Sequence, residues 1–364
     1  MKAHLCLADG KVFSGESIGL AGKCVGEVVF NTSMSGYQEV VSDPCCAEQI
    51  VVMTYPLIGN CGVNFKDACP DGIGAKGLIV QELCDLPSNY TSEETLHSYM
   101  VRNRIVGIKN VDTRALTKHL RENGSMMGII GVDSDPEELS KYLAHCAMAD
   151  GRQTILNVST QQAYTAGEGD LELTVVDFGT AKCLVKSLVA LDCKVKVVPP
   201  TSCTEEVLSG STSGVIISDG PGDPQKCSFA VDMISEVAKS GVPALGISLG
   251  NQLLGLALGC SSSKLKFGHR GSHPVRDLAT SRLFITTQNH GFVLDSSSMD
   301  LKDDLVITYV NLHDDTVEGF KHKLIPVEGV QFVPEMRPDL MDSENAIVRF
   351  VNRAREYAEK TGVR

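Results

Sequence analysis

The second half of the chain alternates apolar runs with amphipathic stretches, and this alternation constrains the fold more than any other feature. From Leu171 onward, the runs LTVVDFG, KVKVVP and VPALGIS predict buried strands, and AKCLVKSLVALDC predicts a helix with one apolar face. Strands that alternate with helices form mostly parallel sheets with helices on both faces. Residues 171–364 are therefore predicted to be an α/β domain that binds ligands at the carboxyl ends of its strands.

Residues 1–150 have a different pattern. The runs GEVVFNTSMSGYQEVVSDP and EQIVVMTYPLIGN are rich in β-branched and aromatic residues and are broken by turn residues, which predicts strands. Helices are predicted over TSEETLHSYMVRN, with a capping box from Thr91 to Glu94, over DTRALTKHLRENG, and over DPEELSKYLAHC, with Asp135 as N-cap. The first half is therefore a mixed α+β domain, and residues 151–170, which lose periodicity, are predicted to be an irregular linker.

Charge and cysteine usage exclude several classes of protein. The formal net charge of −12 and the pI near 5.2 argue against partners such as nucleic acids or anionic membranes, because both attract basic surfaces. The N-terminus lacks the apolar core of a secretory signal, and no apolar run reaches the length of a membrane span. The 13 cysteines include no C-x-x-C pair, so we expect reduced, mostly buried thiols in a cytoplasmic protein, with neither a disulfide nor a metal site.

The stretch GISLGNQLL, residues 246–254, has the spacing of a nucleophile elbow. Glycines on both sides of Ser248 permit a cramped backbone that would raise this side chain above the sheet at a helix N-terminus. Ser248 is then a candidate nucleophile, provided that a base lies within hydrogen-bond reach. The same spacing occurs by chance in glycine-rich chains, so a turn without chemistry is the alternative.

Motifs along nearly the whole chain resemble the small subunit of carbamoyl-phosphate synthetase, whose C-terminal half is a class I glutamine amidotransferase. The first half has FNTSMSGYQE, SDP, TYPLIGN and VDTRALTKHLRE, and the second half has DFG, DGPGDP, GISLGNQLL, KFGHRGSHPV, QNHGF and VQFVPE. The resemblance implies a mixed α+β domain followed by an amidotransferase-like domain with a mostly parallel sheet. It also implies that residues 1–150 provide the interface to a large subunit.

In that family a cysteine attacks the glutamine amide, a histidine activates the cysteine, and a glutamate orients the histidine. The resemblance assigns these three positions to Ser248, Val333 and Glu335, so that the nucleophile and the base are both changed. A valine side chain has no atom that accepts a proton, and a serine without a base is a poor nucleophile. We therefore expect no glutamine hydrolysis by this triad.

Three histidines are candidates for a relocated base. The resemblance puts His290, in the QNHG segment, beside the glutamine pocket, and His269 and His273 lie in a loop of unassigned orientation. A triad depends on position as well as residue type. An ordinary loop or core histidine is accordingly the favoured interpretation of each.

The resemblance also assigns a substrate pocket, in which three residues depart from the family. Cys45 stands where a hydroxyl is frequent, Asp219 replaces an asparagine and Asn251 replaces a histidine, which weakens the expectation that glutamine binds. The residues assigned to the substrate are Cys45, Gly220, Gly222, Leu249, Gln252, Asn289, Gly291 and Phe292.

The elbow sequence GISLGN is similar to that of the ammonia-dependent branch of these synthetases. The resemblance therefore implies a small subunit that supports ammonia-dependent synthesis, in pyrimidine or arginine biosynthesis, by a large subunit that binds ATP and Mg²⁺. This chain itself has no P-loop, and no cofactor is expected on it. Two alternatives stay open: a pseudo-glutaminase that senses glutamine or another amide and regulates a partner, and a hydrolase that uses Ser248 with a relocated base.

Overall fold

The computed structural model describes residues 1–64, 74–146, 150–179, 181–334 and 345–362. The chain divides into two compact units. The first consists of Met1–Asp150 with Lys266–Gly271, and the second consists of Gly151–Leu265 with Ser272–Arg364. Within the described ranges, no helix combines the length and the apolar character needed to cross a membrane.

The first unit is built on a closed barrel. Its strands are β1 (Lys2–Leu7), β2 (Val12–Gly19), β3 (Lys23–Asn31), β4 (Gln49–Met53), β5 (Leu57–Ile58), β6 (Gly77–Ile79), β7 (Glu82–Leu83), β8 (Val106–Lys109) and β9 (Met126–Val132). In the described part, the barrel has the order β1-β2-β8-β6-β4-β3-β9, and β5 pairs with β7. Antiparallel pairing of β9 with both β1 and β3 closes the barrel, so none of its strands has an open edge.

The helices of this unit are α1 (Tyr37–Ser42), α2 (Leu96–Arg102), α3 (Thr113–Asn123) and α4 (Pro136–His145). The predicted N-cap Asp135 of α4 is confirmed, since its side chain accepts a hydrogen bond from the Glu137 N–H at 2.7 Å. The capping box from Thr91 to Glu94 is wrong. The hydroxyl of Thr91 donates to Asn89 in the preceding turn, and Thr95 caps α2 instead.

Residues 266–271 come from the second half of the sequence but pack within the first unit. The Ser125 N–H donates to the Lys266 carbonyl at 2.9 Å, and the ring of Phe267 packs on that of Phe30 with centroids 5.5 Å apart. Arg270 is only 4% exposed, and burial lowers its pKa against the opposing effect of Glu27. The segment is therefore part of the core of this unit.

His4 on β1 makes the stability of the first unit depend on pH. It is 7% exposed, its Nδ1 lies 2.9 Å from the Ser14 hydroxyl, and burial, followed by the charge of Lys2, lowers its pKa. Because its folded-state pKa lies below its unfolded value, it contributes stability above about pH 6.5, and this contribution is lost as the pH falls through the folded pKa. The melting temperature of the wild type should therefore fall more than that of His4→Gln between pH 7.5 and pH 5, and parallel falls would contradict this.

The second unit contains an extended sheet covered by helices. Its strands are β10 (Tyr164–Ala166), β11 (Leu171–Val176), β12 (Cys193–Val198), β13 (Gly214–Ile217), β14 (Ala244–Ile247), β15 (Ser262–Asp277), β16 (Leu283–Leu294), β17 (Leu305–Asn311), β18 (Val317–His322) and β19 (Val327–Val330). Its helices are α5 (Gly151–Val158), α6 (Ala181–Ala190), α7 (Thr204–Val207), α8 (Ser228–Lys239), α9 (Leu249–Ala257), α10 (Ser296–Asp300) and α11 (Ala346–Thr361).

The order of this sheet, for the described residues, is β10-β12-β11-β13-β14-β19-β18-β17-β15-β16. The five strands from β12 to β19 are parallel, which confirms the predicted α/β fold. One apolar cluster includes Ile234 of α8 and Leu253 of α9, and another includes Leu188 of α6 and Phe350 of α11. The two faces of the sheet are thus covered by different helices. A ligand-binding site is therefore expected at the carboxyl ends of the parallel strands, where such folds bind their ligands.

The segment 151–170, expected to be irregular, contains α5 and β10. Ile155 of α5 is fully buried in the core of the second unit, and the Arg152 guanidinium lies 4.9 Å from the centre of the Phe229 ring. Strand β10 pairs antiparallel with β12 at the sheet edge. These contacts with distant residues stabilise structure that the local sequence pattern does not indicate.

Candidate active site

A strained elbow at Ser248 connects β14 to α9. Ser248 has φ of 52° and ψ of −105°, which non-glycine residues seldom adopt, and it is 2% exposed. A Cβ on Gly250 would lie 2.1 Å from the Ile217 carbonyl oxygen, and one on Gly246 would lie 2.5 Å from that of Gly250. The flanking glycines therefore let α9 approach the sheet closely, and the elbow geometry predicted from their spacing is confirmed.

The position assigned to the base lies at the same edge of the sheet. Strands β14 and β19 are parallel with Ile247 opposite Val330, and the Ser248 N–H donates to the Val330 carbonyl at 2.8 Å. Val333 follows three residues later, where its N–H donates to the Thr287 carbonyl at 2.9 Å. The chain thus brings an alcohol and an isopropyl group to the ends of adjacent strands, and Glu335 lies outside the described residues.

A buried amide pair beneath the elbow was not predicted from the sequence. Asn251, in the first turn of α9, donates from Nδ2 to the Gln331 side-chain oxygen at 3.0 Å, and both residues are fully buried. The Asn251 Oδ1 would lie 2.3 Å from a Cβ on Gly329, so this side chain packs directly against the main chain of β19. Gln331 belongs to the VQFVPE motif, and this motif is the sequence signal that could have identified it as a residue of the site.

His290 and Gln252 share one hydrogen-bond acceptor, the main-chain carbonyl oxygen of Phe292. The Gln252 side-chain amide donates to the Phe292 carbonyl at 2.8 Å, and the His290 Nδ1 donates to it at 2.9 Å. The His290 Nε2 lies 2.9 Å from the Gln288 side-chain oxygen. Asn289, Gly291 and Phe292, which the resemblance assigned to the substrate, are half-buried along β16.

The two other candidate bases, His273 and His269, lie in strand β15 and not in a loop, so that expectation is wrong. The ring of His273 makes an edge contact with that of His313, with centroids 5.6 Å apart, and its carbonyl accepts a hydrogen bond from the Thr286 hydroxyl at 3.0 Å. His269 is 3% exposed and belongs to the segment that packs within the first unit.

The loop after β13 is held by its own side chains. The Ser218 hydroxyl donates to the Asp219 carbonyl at 2.8 Å, and the Asp219 carboxylate accepts from the Gly220 N–H at 2.7 Å. Asp219 is 4% exposed, and Gly222 has φ of +95°. The Asp219 carboxylate therefore stabilises the turn in which it lies. Leu249, at the first position of α9, is buried next to Gly220 of this loop and belongs to the same apolar cluster as Phe178.

Cys45 lies in a short 3₁₀ turn of the first unit. It is 2% exposed, and its N–H donates to the Asp43 carboxylate at 2.9 Å.

The two units correspond to two known sequence families. Residues 5–130 match the CPSase domain of the carbamoyl-phosphate synthase small chain, and residues 174–352 match class I glutamine amidotransferases. The fold and the elbow thus define a protein in which a class I glutamine amidotransferase domain follows a distinct N-terminal domain along the chain. This combination of domains is a property of the small chains of carbamoyl-phosphate synthase, and the chain belongs to that family.

Curated relatives cover the chain almost completely. It is 41% identical to a carbamoyl phosphate synthase small chain of Syntrophotalea carbinolica over 100% of both chains, and 44% identical to that of Clostridium perfringens over 97% of this chain and 100% of the relative. It is 42% identical to a pyrimidine-specific small chain of Bacillus subtilis over 100% of this chain and 98% of the relative.

Proposed function

We propose that this chain is a small subunit of carbamoyl-phosphate synthase that does not hydrolyse glutamine and supports ammonia-dependent synthesis by a large chain. The observation that supports this proposal best is that Ser248 follows β14 directly while Val333, the residue assigned as its base, lies three residues beyond the end of the adjacent parallel strand β19. The elbow is retained while the residue assigned to accept its proton has no acceptor atom.

The expected loss of rate is large. In subtilisin, loss of either the nucleophile or the base lowers kcat by roughly 10⁶. His290 is a poor substitute base, because its Nδ1 donates to the Phe292 carbonyl and Nε2, the one nitrogen then left to accept a proton, lies against the Gln288 side chain at 2.9 Å. The large chain would bind ATP and Mg²⁺ and carry out the synthesis, in the cytoplasm and in pyrimidine or arginine biosynthesis.

Assays with the assembled synthase test the proposal. The complex of this chain with the large chain of the same genome should form carbamoyl phosphate from ammonium and release no glutamate from glutamine, because Val333, at the position assigned to the base, cannot accept a proton from Ser248. Rates with ammonium and with glutamine, with and without Ser248→Ala, are the measurements. Glutamine-dependent synthesis that Ser248→Ala abolishes would refute the loss of glutaminase activity and support the Ser248 hydrolase with a relocated base.

A second candidate function is a pseudo-glutaminase that binds glutamine or another amide and regulates a partner. Two hydrogen bonds favour this binding function: the Gln252 amide donates to the Phe292 carbonyl, and the Gly220 N–H donates to the Asp219 carboxylate. These contacts hold residues assigned to substrate binding in place although the catalytic triad is incomplete. Saturable binding of glutamine in calorimetry, without turnover and lost in Gln252→Ala, would favour this function over a purely supporting role.

A further inference from the structure

Three polar side chains on the buried face of β16, those of Thr286, Gln288 and His290, form a hydrogen-bonded row that we call the polar chain. The Thr286 hydroxyl donates to the His273 carbonyl at 3.0 Å, and the Gln288 side-chain nitrogen donates to that hydroxyl at 3.1 Å. The Gln288 side-chain oxygen lies 2.9 Å from Nε2 of His290. The row ends at Nδ1 of His290, which lies 2.9 Å from the Phe292 carbonyl oxygen.

The carbonyl at the start of the polar chain determines the direction of each hydrogen bond in it. A main-chain carbonyl can only accept, so the Thr286 proton points to His273, and the Thr286 oxygen accepts from Gln288. The Gln288 amide therefore faces Thr286 with its nitrogen and His290 with its oxygen. Exchanging the two amide atoms would bring an oxygen to 3.1 Å from a hydroxyl whose proton is already donated. Nε2 of His290 must therefore be a donor.

The other ring nitrogen of His290 is a donor as well. Its partner is the Phe292 carbonyl, which can only accept and which also accepts from the Gln252 side-chain nitrogen at 2.8 Å. A neutral imidazole has one N–H, and only the imidazolium has two. The two acceptors at 2.9 Å thus require a positive charge on a ring that is 6% exposed.

A counter-charge for this ring is provided by Glu318 of β18. A carboxylate oxygen of Glu318 lies within 4.8 Å of a His290 ring nitrogen, and Glu318 is fully buried. Its Oε1 accepts a hydrogen bond from the Asn311 side-chain nitrogen at 2.8 Å. Buried charges are stable when they are paired and hydrogen-bonded, and both conditions are met by the imidazolium and the carboxylate.

We propose that His290 is a buried imidazolium, paired with Glu318, that positions Gln252 and cannot act as a base. The charged ring positions Gln252 because the two side chains share the Phe292 carbonyl as acceptor. This inference rests on the proposed function, to which it adds the reason that His290 does not replace Val333 as the base. A ring with both nitrogens protonated has no lone pair for the Ser248 proton.

Nitrogen NMR of the full chain, with its histidines labelled with nitrogen-15, tests the charge directly. At about pH 8, both ring nitrogens of His290, assigned by comparison with His290→Gln, should have the chemical shift of a protonated nitrogen, whereas an ordinary histidine with a pKa near 6.5 is neutral and has one bare nitrogen. A bare nitrogen on His290 would overturn the inference. The glutamate-release assay would then still decide the proposed function separately.

The variant Glu318→Gln tests the pairing. It keeps the shape of the side chain and an acceptor for Asn311 but removes the charge, so His290 should lose one ring proton at the same pH. Glu318→Asp keeps the charge and should keep both protons. The matched control Glu359→Gln changes the charge equally at an exposed position of α11 and should also keep both.

The remaining outcomes of this series decide against Glu318. Two protonated ring nitrogens in a folded Glu318→Gln chain would overturn the pairing, and loss of a ring proton in Glu359→Gln as well would overturn Glu318 as the specific partner. Thermal melts identify the folded variants. If Glu318→Gln does not fold, the wild-type spectrum decides the charge and Glu318→Asp decides the pairing, which a bare nitrogen in that variant would overturn.

Discussion

Combined replacement of Ser248 by cysteine and Val333 by histidine should create glutaminase activity roughly 10²- to 10⁴-fold above that of either single variant. The strained elbow would present the new thiol at the N-terminus of α9, where the helix dipole lowers the pKa of a cysteine. The N–H of residue 333 should keep its hydrogen bond to the Thr287 carbonyl. The new imidazole would therefore project from the chain just beyond the end of β19, the strand that pairs with β14.

The single variants should achieve little, for different reasons. In Ser248→Cys the thiol keeps a pKa near 8.5 or somewhat lower, and no group donates a proton to the leaving ammonia. In Val333→His the base acts on an alcohol, which needs more support from the oxyanion site than a thiolate does. Residues of one catalytic unit are strongly non-additive, so the double variant should exceed the product of the single effects.

The structure argues against adding Asn251→His as a third change. Asn251 is fully buried, bonded to Gln331 and packed against the main chain of Gly329, so a larger imidazole would displace β19 from the elbow. Glutamate release by the singles, the double and the triple is the measurement, with Ser248→Ala/Val333→His as the inactive control. If every variant stays at background while its thermal melt shows a folded chain, the pocket has diverged beyond its triad.

The sequence predicted those features that local chemistry determines. The parallel sheet follows from apolar runs alternating with amphipathic stretches, and the cap at Asp135 and the elbow at Ser248 follow from residue types at fixed spacing. Each of these depends on neighbours within a few positions along the chain. Such features can be inferred without knowledge of the tertiary contacts.

The features that sequence reasoning missed depend on contacts between distant residues. Thr91 satisfies the capping-box pattern, but its hydroxyl is engaged by Asn89. Helix α5 depends on the burial of Ile155, and the amide pair joins Asn251 to a residue 80 positions away. No periodicity within either partner indicates such a pairing.

Gly250→Ala should be among the most destabilising single substitutions in the second unit. The added methyl would lie 2.1 Å from the Ile217 carbonyl oxygen and 2.7 Å from its carbon, both main-chain atoms of β13 that cannot rotate away. Helix α9 would have to move off the sheet, which we expect to cost about 3 kcal/mol or more and to lower the melting temperature by roughly 5 to 10 °C.

Gly22→Ala is the matched control for this prediction, because a Cβ at Gly22 meets nothing within 4 Å. It should melt within about 2 °C of the wild type. Introduced into the Ser248→Cys/Val333→His double variant, Gly250→Ala should also remove the restored glutaminase activity below its melting temperature, since the elbow keeps its strained φ only while α9 lies close against β13. A Gly250→Ala protein that melts like the wild type and leaves that activity intact would show that the close approach of α9 does not hold the elbow in place.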